Sequence, residues 1–443
     1  MSEVHNQLQI HKCIVSFSHN RYSSRKKATR TALAKARREI ASGKRGISHL
    51  IVRAEDDRID QLKFLFLIHG IPIACYAMEN LLRSSLEEIV VVGSPEVQRV
   101  LEHFLDRVGT HGKKVTFVHE HLDNLSLLNT LALGRSKLSL ASDEMILFQP
   151  GDLPFMYDIE KVLQDEELEH YNLILWLNSR QKMFPRFMED PESEFILRNY
   201  HYRAIKEEED ELHEIKEPNL YPINLSAVES DIIEYMHSSR KDGNILKAGA
   251  KKVLSVPGRL LRLIPVLAYH VINFRSDLKR FRKQDTYQFG MHQGNFHRGV
   301  SILLNTEFTS KFHNDPAFVS DVDALEDWED FEALTHYAGS LHKDEGLSLV
   351  HPGGEDLLRF KEEGMPQLKK ELPIYADFPS YINNLYRELQ MGYVPFDENG
   401  NYVSRKNHGR VEKAFQWYSS RCNALKKSTV GEKLQNTVSP AKI

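Results

Sequence analysis

The run Met145–Met156, MILFQPGDLPFM, ends an apolar strand in Gly151, Asp152 and Pro154, residue types that strands exclude. A carboxylate at a strand's carboxyl end suits a magnesium ion (Mg2+) carrying substrate phosphates, because that ion takes oxygen ligands and only one or two protein carboxylates. Gly151 allows close backbone approach, and Pro154 fixes the turn that follows. An ordinary turn with an unemployed carboxylate would have the same spelling. A second acidic element, PAFVSDVDALEDWEDFEAL over Pro316–Leu334, reads as a strand, an Asp-Val-Asp and then a helix beginning near Ala324. Alternate residues of a strand face one way, so Asp321 and Asp323 fall on one side and either can supply a second carboxylate. Glu326 and Asp327 need only the helix dipole to explain them. Carboxylates that grip one ion must approach within about 10 Å of each other.

Strand and helix alternate between His49 and Tyr157. HLIVRA reads as a strand, GIPIACYAMENLLRSS as a helix entered at Pro72, and EEIVVVGS as a second strand, Val-rich as buried parallel strands are. PEVQRVLEHFLDRVG is a helix stopped by Gly109, KKVTFVHE a third strand, SLLNTLALGRSKL a helix and EMILFQPGD a fourth strand. NLILWLN, Asn172–Asn178, is a fifth. Such an order predicts an α/β fold, a doubly wound, mostly parallel sheet covered on both faces. Ligands of these sheets sit outside the carboxyl ends of the strands, where Gly151 and Asp152 fall.

The chain has 443 residues, 41% of them hydrophobic, enough for one large or two ordinary domains. Cys13, Cys75 and Cys422 stand far apart without a CxxC spacing, which points to a reducing, cytoplasmic compartment and away from structural zinc. The 21 histidines are scattered, a pattern of surface and strand-end residues rather than of a metal cluster. The longest apolar run, Leu263–Phe274, is too short to span a bilayer.

The net charge of −4 hides segregation. Arg21–Arg45 holds ten Lys or Arg against one acid and reads as an exposed basic helix. It lacks the interleaved aromatics of a nucleic-acid surface, and no nucleic-acid partner is expected. A second basic belt, Lys247–Lys283, mixes cations with apolar residues, and Pro257 and Pro265 are expected to break it. It suits either a helical cover over the main domain or peripheral contact with an anionic membrane. The acidic patch Lys206–Glu217 reads as a solvated loop or hairpin. These shifts divide the chain into a basic N-terminal extension, 1–46, a main domain, 47–334, with a basic helical insert at about 245–290, and a helical C-terminal module, 335–443, with a disordered tail.

The segments His49–Ser94, Ile146–Met156 and Ser320–Leu334 together resemble the nucleotidyltransferase superfamily of GT-A-like fold, which includes the sugar-phosphate and molybdenum-cofactor nucleotidyltransferases. The resemblance implies that Asp152 binds magnesium and that Asp323, with Asp321 beside it, is the second ligand. The family's Gly-rich loop ends in Arg and is followed by a Lys before an apolar Gly-x-Pro segment. Here Arg58, Lys63 and KFLFLIHGIPI stand in those places, which implies that Lys63 holds a phosphate and Arg58 neutralises the triphosphate. HEIKEPNLYPINLSAV, His213–Val228, resembles the acceptor-side segment, implying contacts from Lys216 and Asn219. The residues themselves also read as a turn at Glu217–Asn219 between two strands. The implied activity is transfer of a nucleoside monophosphate from a nucleoside triphosphate to a phosphorylated acceptor, such as a sugar phosphate. The chain departs from the family where RAEDDR replaces the glycines that cradle the triphosphate. That departure keeps two alternatives open: a noncatalytic nucleotide-binding protein of the same fold, and a GT-A-type glycosyltransferase using a nucleotide sugar.

Overall fold

The computed structural model describes residues 9–17, 51–53, 58–60, 62–120, 127–179, 202–206, 211–216, 219–229, 257–281, 290–313, 315–318, 320–322, 325–341, 354–388 and 391–420. The basic stretch 21–45, the loop Ala54–Asp57, Asp323 and the tail lie outside them.

A ten-stranded sheet organises the chain. Third from one edge of it is β1 (Lys12–Phe17), flanked by β6 (Glu88–Gly93) and β8 (Ile146–Pro150), with β7 (Lys114–His119) beyond β6 at that edge, all four parallel. The expected N-terminal extension is therefore corrected: residues 12–17 are an inner strand of the sheet. HLIVRA is corrected as well. Its β2 (Ile51–Arg53) pairs only with β3 (Arg58–Asp60), in a two-stranded hairpin apart from the main sheet. Of RAEDDR, Arg53 and Arg58 pair across this hairpin.

The other half of the sheet is mixed. β12 (Tyr221–Ile223) runs antiparallel to β8 and to β9 (Leu173–Ser179). β14 (Phe308–His313) lies parallel to β9. β10 (Tyr202–Lys206) and β11 (Glu211–Lys216) pair as an antiparallel hairpin, as the acidic patch predicts, and β13 (Gly290–His292) closes that edge.

Strand alternation divides the core in two. Cys13, Val15 and Phe17 of β1, Ile89 and Val91 of β6 and Leu147 of β8 enter the larger cluster. Ile14, Val90, Val92, Ile146 and Phe148 enter the one on the opposite face. The sheet is covered on both sides, as its near-continuous apolar strands require. Over the larger cluster lie α1 (Ile73–Leu82) and α2 (Pro95–Val108). The Ser94 hydroxyl caps α2 by accepting from Val97 N, 3.3 Å, and Gly109 ends it at φ 84°. Over the second cluster lie α3 (Leu127–Arg135) and α5 (Gln293–Leu304), and α4 (Pro257–Phe281) packs on α5. The break expected at Pro265 does not occur, because α4 runs unbroken through it.

Of the Asp-Val-Asp segment, the described Asp321 and Val322 are not in a strand. Pro316–Phe318 forms a 3-10 turn, set by the Asp315 carboxylate accepting from Ala317 N at 3.0 Å, and 320–322 is irregular. The helix that follows, α6 (Leu325–Leu341), runs through the division expected between residues 334 and 335. Residues 354–420 share its core: Leu357, Phe360, Leu368, Tyr386 and Tyr418 belong to the same cluster as Phe66, Trp328 and Phe331. Among the described residues no helix is long and apolar enough to cross a membrane. Burial pushes the thiols of Cys13 and Cys75 up, so both are packing residues.

Candidate functional site

Parallel register aligns the ends of four strands. Phe17 pairs with Gly93, Gly93 with His119, and Ser16 with Pro150, so their carboxyl ends form one rim. The chain leaves β8 at that rim as Gly151-Asp152, and Gly151 N donates to Ser16 O at 2.8 Å. Gly151 has a packing reason. A Cβ there would lie 2.1 to 2.6 Å from three atoms of the Phe17 ring, which is itself fully buried. The residues after Asp152 anchor it from the other side. Leu153 and Phe155 are buried, Phe155 stacks on Tyr418 with ring centroids 4.4 Å apart, and its carbonyl accepts from Asn80 Nδ2 at 3.0 Å.

Lys63 arrives from a 3-10 turn, Leu62–Leu65, and its ammonium donates to Asp152 Oδ2. The two side chains are only 13% and 6% exposed, so this is a largely desolvated ion pair at the strand end. Phe17 is its floor, since it packs edge-to-face on Phe64, the neighbour of Lys63, at 5.2 Å. Lys63, which sequence assigns to a phosphate, here also neutralises the carboxylate assigned to a metal.

The acidic element meets the same point. Val322 N donates to the carbonyl oxygen of Asp152 at 3.0 Å. Standard backbone dimensions then put the Cα atoms of Asp152 and Asp321 no more than about 8 Å apart. Asp321 is half-buried, and Asp323, two residues on, lies outside the described residues. No group of three or more His, Cys, Asp or Glu that could hold a metal occurs among the described residues. The donor set at this rim is instead one or two carboxylates, which fits a hard cation that keeps its other positions for phosphates and water.

Asn219 stands two residues before Tyr221, which opens β12 opposite Phe148 of β8. Its Nδ2 is buried with no hydrogen-bond partner among the described residues, a donor left over next to the strand end. The turn that the residues suggest falls between β11 and β12, and its Glu217 and Pro218 lie outside the described residues. Lys216 ends β11 opposite Asn178 of β9, and Arg58 opens β3 of the separate hairpin. The side chains of both lie outside the described residues.

α6 is held to the segment that carries Lys63. After Lys63 the chain makes a tight hairpin, β4 (Leu67–Ile68) and β5 (Ile71–Pro72), turned by His69 and Gly70 at φ 52° and 79°, the signs a type I′ turn demands. Trp328 Nε1 donates to Leu67 O at 2.8 Å, and His69 N to Glu332 Oε1 at 3.1 Å. Burial pushes the Glu332 carboxyl up to about 7; the His69 N–H, the Lys361 ammonium and the Thr335 hydroxyl oppose the rise. The folded state therefore holds a proton that the unfolded chain releases near 4.5, so this stabilisation is complete below about 4.5 and lost as pH rises through 7. Between pH 5 and 8 the wild-type chain is expected to lose up to about 3 kcal/mol in urea unfolding from this group. Glu332→Gln should flatten that fall and be the more stable protein at pH 8; equal slopes for the two proteins would exclude Glu332 as the source.

Sequence reasoning missed Phe17, Val322 and the Glu332 contact. KCIVSF carries an apolar signal of its own, whereas no local pattern reports the other two.

No family model matches the sequence, and no curated protein does. Solved structures are similar in part. A hypothetical transferase from Thermus thermophilus has 15% identity and a TM-score of 0.38, over 72% of this chain and 99% of that one. The inositol-1-phosphate CTP transferase from T. maritima has 15% identity and a TM-score of 0.28, over 49% of this chain and 72% of its own. UDP-glucose pyrophosphorylase, solved with UDP-glucose, has 13% identity and a TM-score of 0.29, over 52% of this chain and 80% of its own. Nucleotidyltransferases are thus among the structures this chain is similar to. At those scores the likenesses carry no weight on activity, which rests on the rim residues alone.

Proposed function

We propose that this chain is a magnesium-dependent nucleotidyltransferase. A phosphate oxygen of a phosphorylated acceptor, a sugar phosphate or similar, attacks the α-phosphorus of a nucleoside triphosphate; the bond to the bridging β-phosphate oxygen breaks, and pyrophosphate leaves. The acceptor phosphate is already ionised, so no general base is needed. The observation that carries the reading is the meeting at one rim of Asp152, the Lys63 ammonium and the Asp321 backbone. Asp152 with Asp321 or Asp323 would hold the metal, which, when bound, would neutralise charge on the phosphates. Lys63 would hold a phosphate beside Asp152, and Arg58 would face the triphosphate. Asn219 Nδ2 and Lys216 would meet the acceptor. Positioned charge of this kind suffices for nucleotidyl transfer, because the protein mainly holds reactants in line.

Pyrophosphate release, screened over the four nucleoside triphosphates and a panel of sugar phosphates with magnesium, is expected to give signal for at least one pair. A nucleotide-sugar glycosyltransferase would release none. Silence across the panel, without a thermal shift from any nucleotide, would defeat the reading.

A further inference from the structure

The helix α4 has one face with a partner and one without. Arg259 Nη1 donates to Leu303 O at 3.2 Å, Leu263 is buried, and the Val266 carbonyl accepts from Asn295 Nδ2 at 3.0 Å. These residues turn one side of the helix onto α5. On the side away from it, Leu261, Ile264, Leu267, Val271 and Ile272 are 51 to 70% exposed. They recur at helical spacing over three turns, so the apolar side chains form a stripe rather than scattered singles.

The charge of the same segment says what the stripe is for. Lys247–Lys283 holds ten cations and one acid, Asp277, in a chain whose net charge is −4. Five of the cations belong to α4: Arg262, Arg275, Lys279 and Arg280, and Arg259, whose guanidinium is turned to Leu303 O and pairs with Glu229 on the α5 side. A second copy of the chain is a poor occupant, since two-fold packing of this face sets cations against cations with no acid before Asp277 to offset them. An apolar stripe among cations, on a helix too polar to cross a bilayer, has the make-up of a helix lying in a membrane interface.

We infer that the α4 stripe docks this protein on an anionic membrane surface, with Leu261, Ile264, Leu267 and Ile272 entering the headgroup boundary and the exposed Arg262 meeting acidic lipid headgroups. The inference does not depend on nucleotidyl transfer.

Sedimentation of the full chain with vesicles tests it. Binding to phosphatidylcholine vesicles containing phosphatidylglycerol is expected to exceed binding to phosphatidylcholine alone by about tenfold or more, and to weaken in high salt. Leu261→Gln with Leu267→Gln should lower it by about tenfold or more at an unchanged melting temperature, because both positions are exposed in the free protein. Should that variant melt early, Arg262→Glu, expected to bind roughly fivefold more weakly or worse, replaces it. Absent binding, equal binding to both vesicle types, or variants that pellet like wild type would overturn the inference. Concentration-dependent self-association that the Leu261→Gln, Leu267→Gln pair abolishes, without vesicle binding, would overturn it in favour of a second copy.

Discussion

Asp152→Asn is expected to lower nucleotidyl transfer by about 10²- to 10³-fold or more at saturating magnesium, the cost of losing one well-placed charge in a preorganised site. The substitution keeps the size of the side chain and removes its charge. It also leaves the Lys63 ammonium, 13% exposed, without the carboxylate it is paired with. Breaking a buried pair costs about 3–5 kcal/mol, and partial access of water to Lys63 brings the expected loss of stability nearer to about 1–3 kcal/mol. Lys63→Met in the Asp152→Asn background should restore much of that stability, because no lone charge is left, while leaving transfer as low as in Asp152→Asn or lower. From the single to the double variant stability thus rises while activity does not. Purely structural roles for both residues would move them together, and an Asp152→Asn protein that transfers at the wild-type rate would remove the carboxylate from the chemistry.

The parts of this site that sequence reveals are the parts that local pattern determines. EIVVVG carries four consecutive β-branched apolar residues, Ile89–Val92, the mark of a buried strand, and ILFQPGD ends where its Gly and Asp say it must. The α2 boundaries follow from Ser94, Pro95 and Gly109. What sequence does not determine is which short apolar run joins the sheet. KCIVSF is six residues long, stands next to a basic stretch and earns its place by pairing with residues more than seventy positions away in β6 and beyond that in β8. HLIVRA has a similar look, yet it turns back on RID within a few residues, and local pairing wins. The acidic element shows the same limit. Asp315 and Pro316 impose a turn where alternation suggests a strand, but the closeness of Asp321 to Asp152 survives, because a backbone hydrogen bond from Val322 provides it. Asp152 and Lys63 were legible by residue type; the shared floor that joins them, Phe17, was not.

That floor makes the second large prediction. Gly151→Ala adds one methyl group, 2.1 Å from Phe17 Cε1 and 2.2 Å from Cδ1, distances no packed carbon tolerates. The ring has nowhere to swing, since Phe17 is fully buried and lies edge-to-face on Phe64 at 5.2 Å. Either the ring leaves its place or the end of β8 lifts and stretches the 2.8 Å hydrogen bond from Gly151 N to Ser16 O. Overpacking of this kind costs about 1–3 kcal/mol or more. Either movement displaces Asp152, the next residue, and a shift of about 1 Å at a positioning group can cost about 10²-fold in rate. Gly151→Ala is therefore expected to lower the melting temperature and to reduce transfer by about 10²-fold, although alanine differs from glycine by a single carbon and bears no charge. Phe17→Leu alone opens space at that site at the cost of a smaller side chain. Combined with Gly151→Ala it should recover at least about 1 kcal/mol relative to the sum of the two single changes, the coupling expected of residues in direct contact. Strict additivity would mean that the Phe17 ring does not limit position 151, and the rim would then need another reason for its glycine.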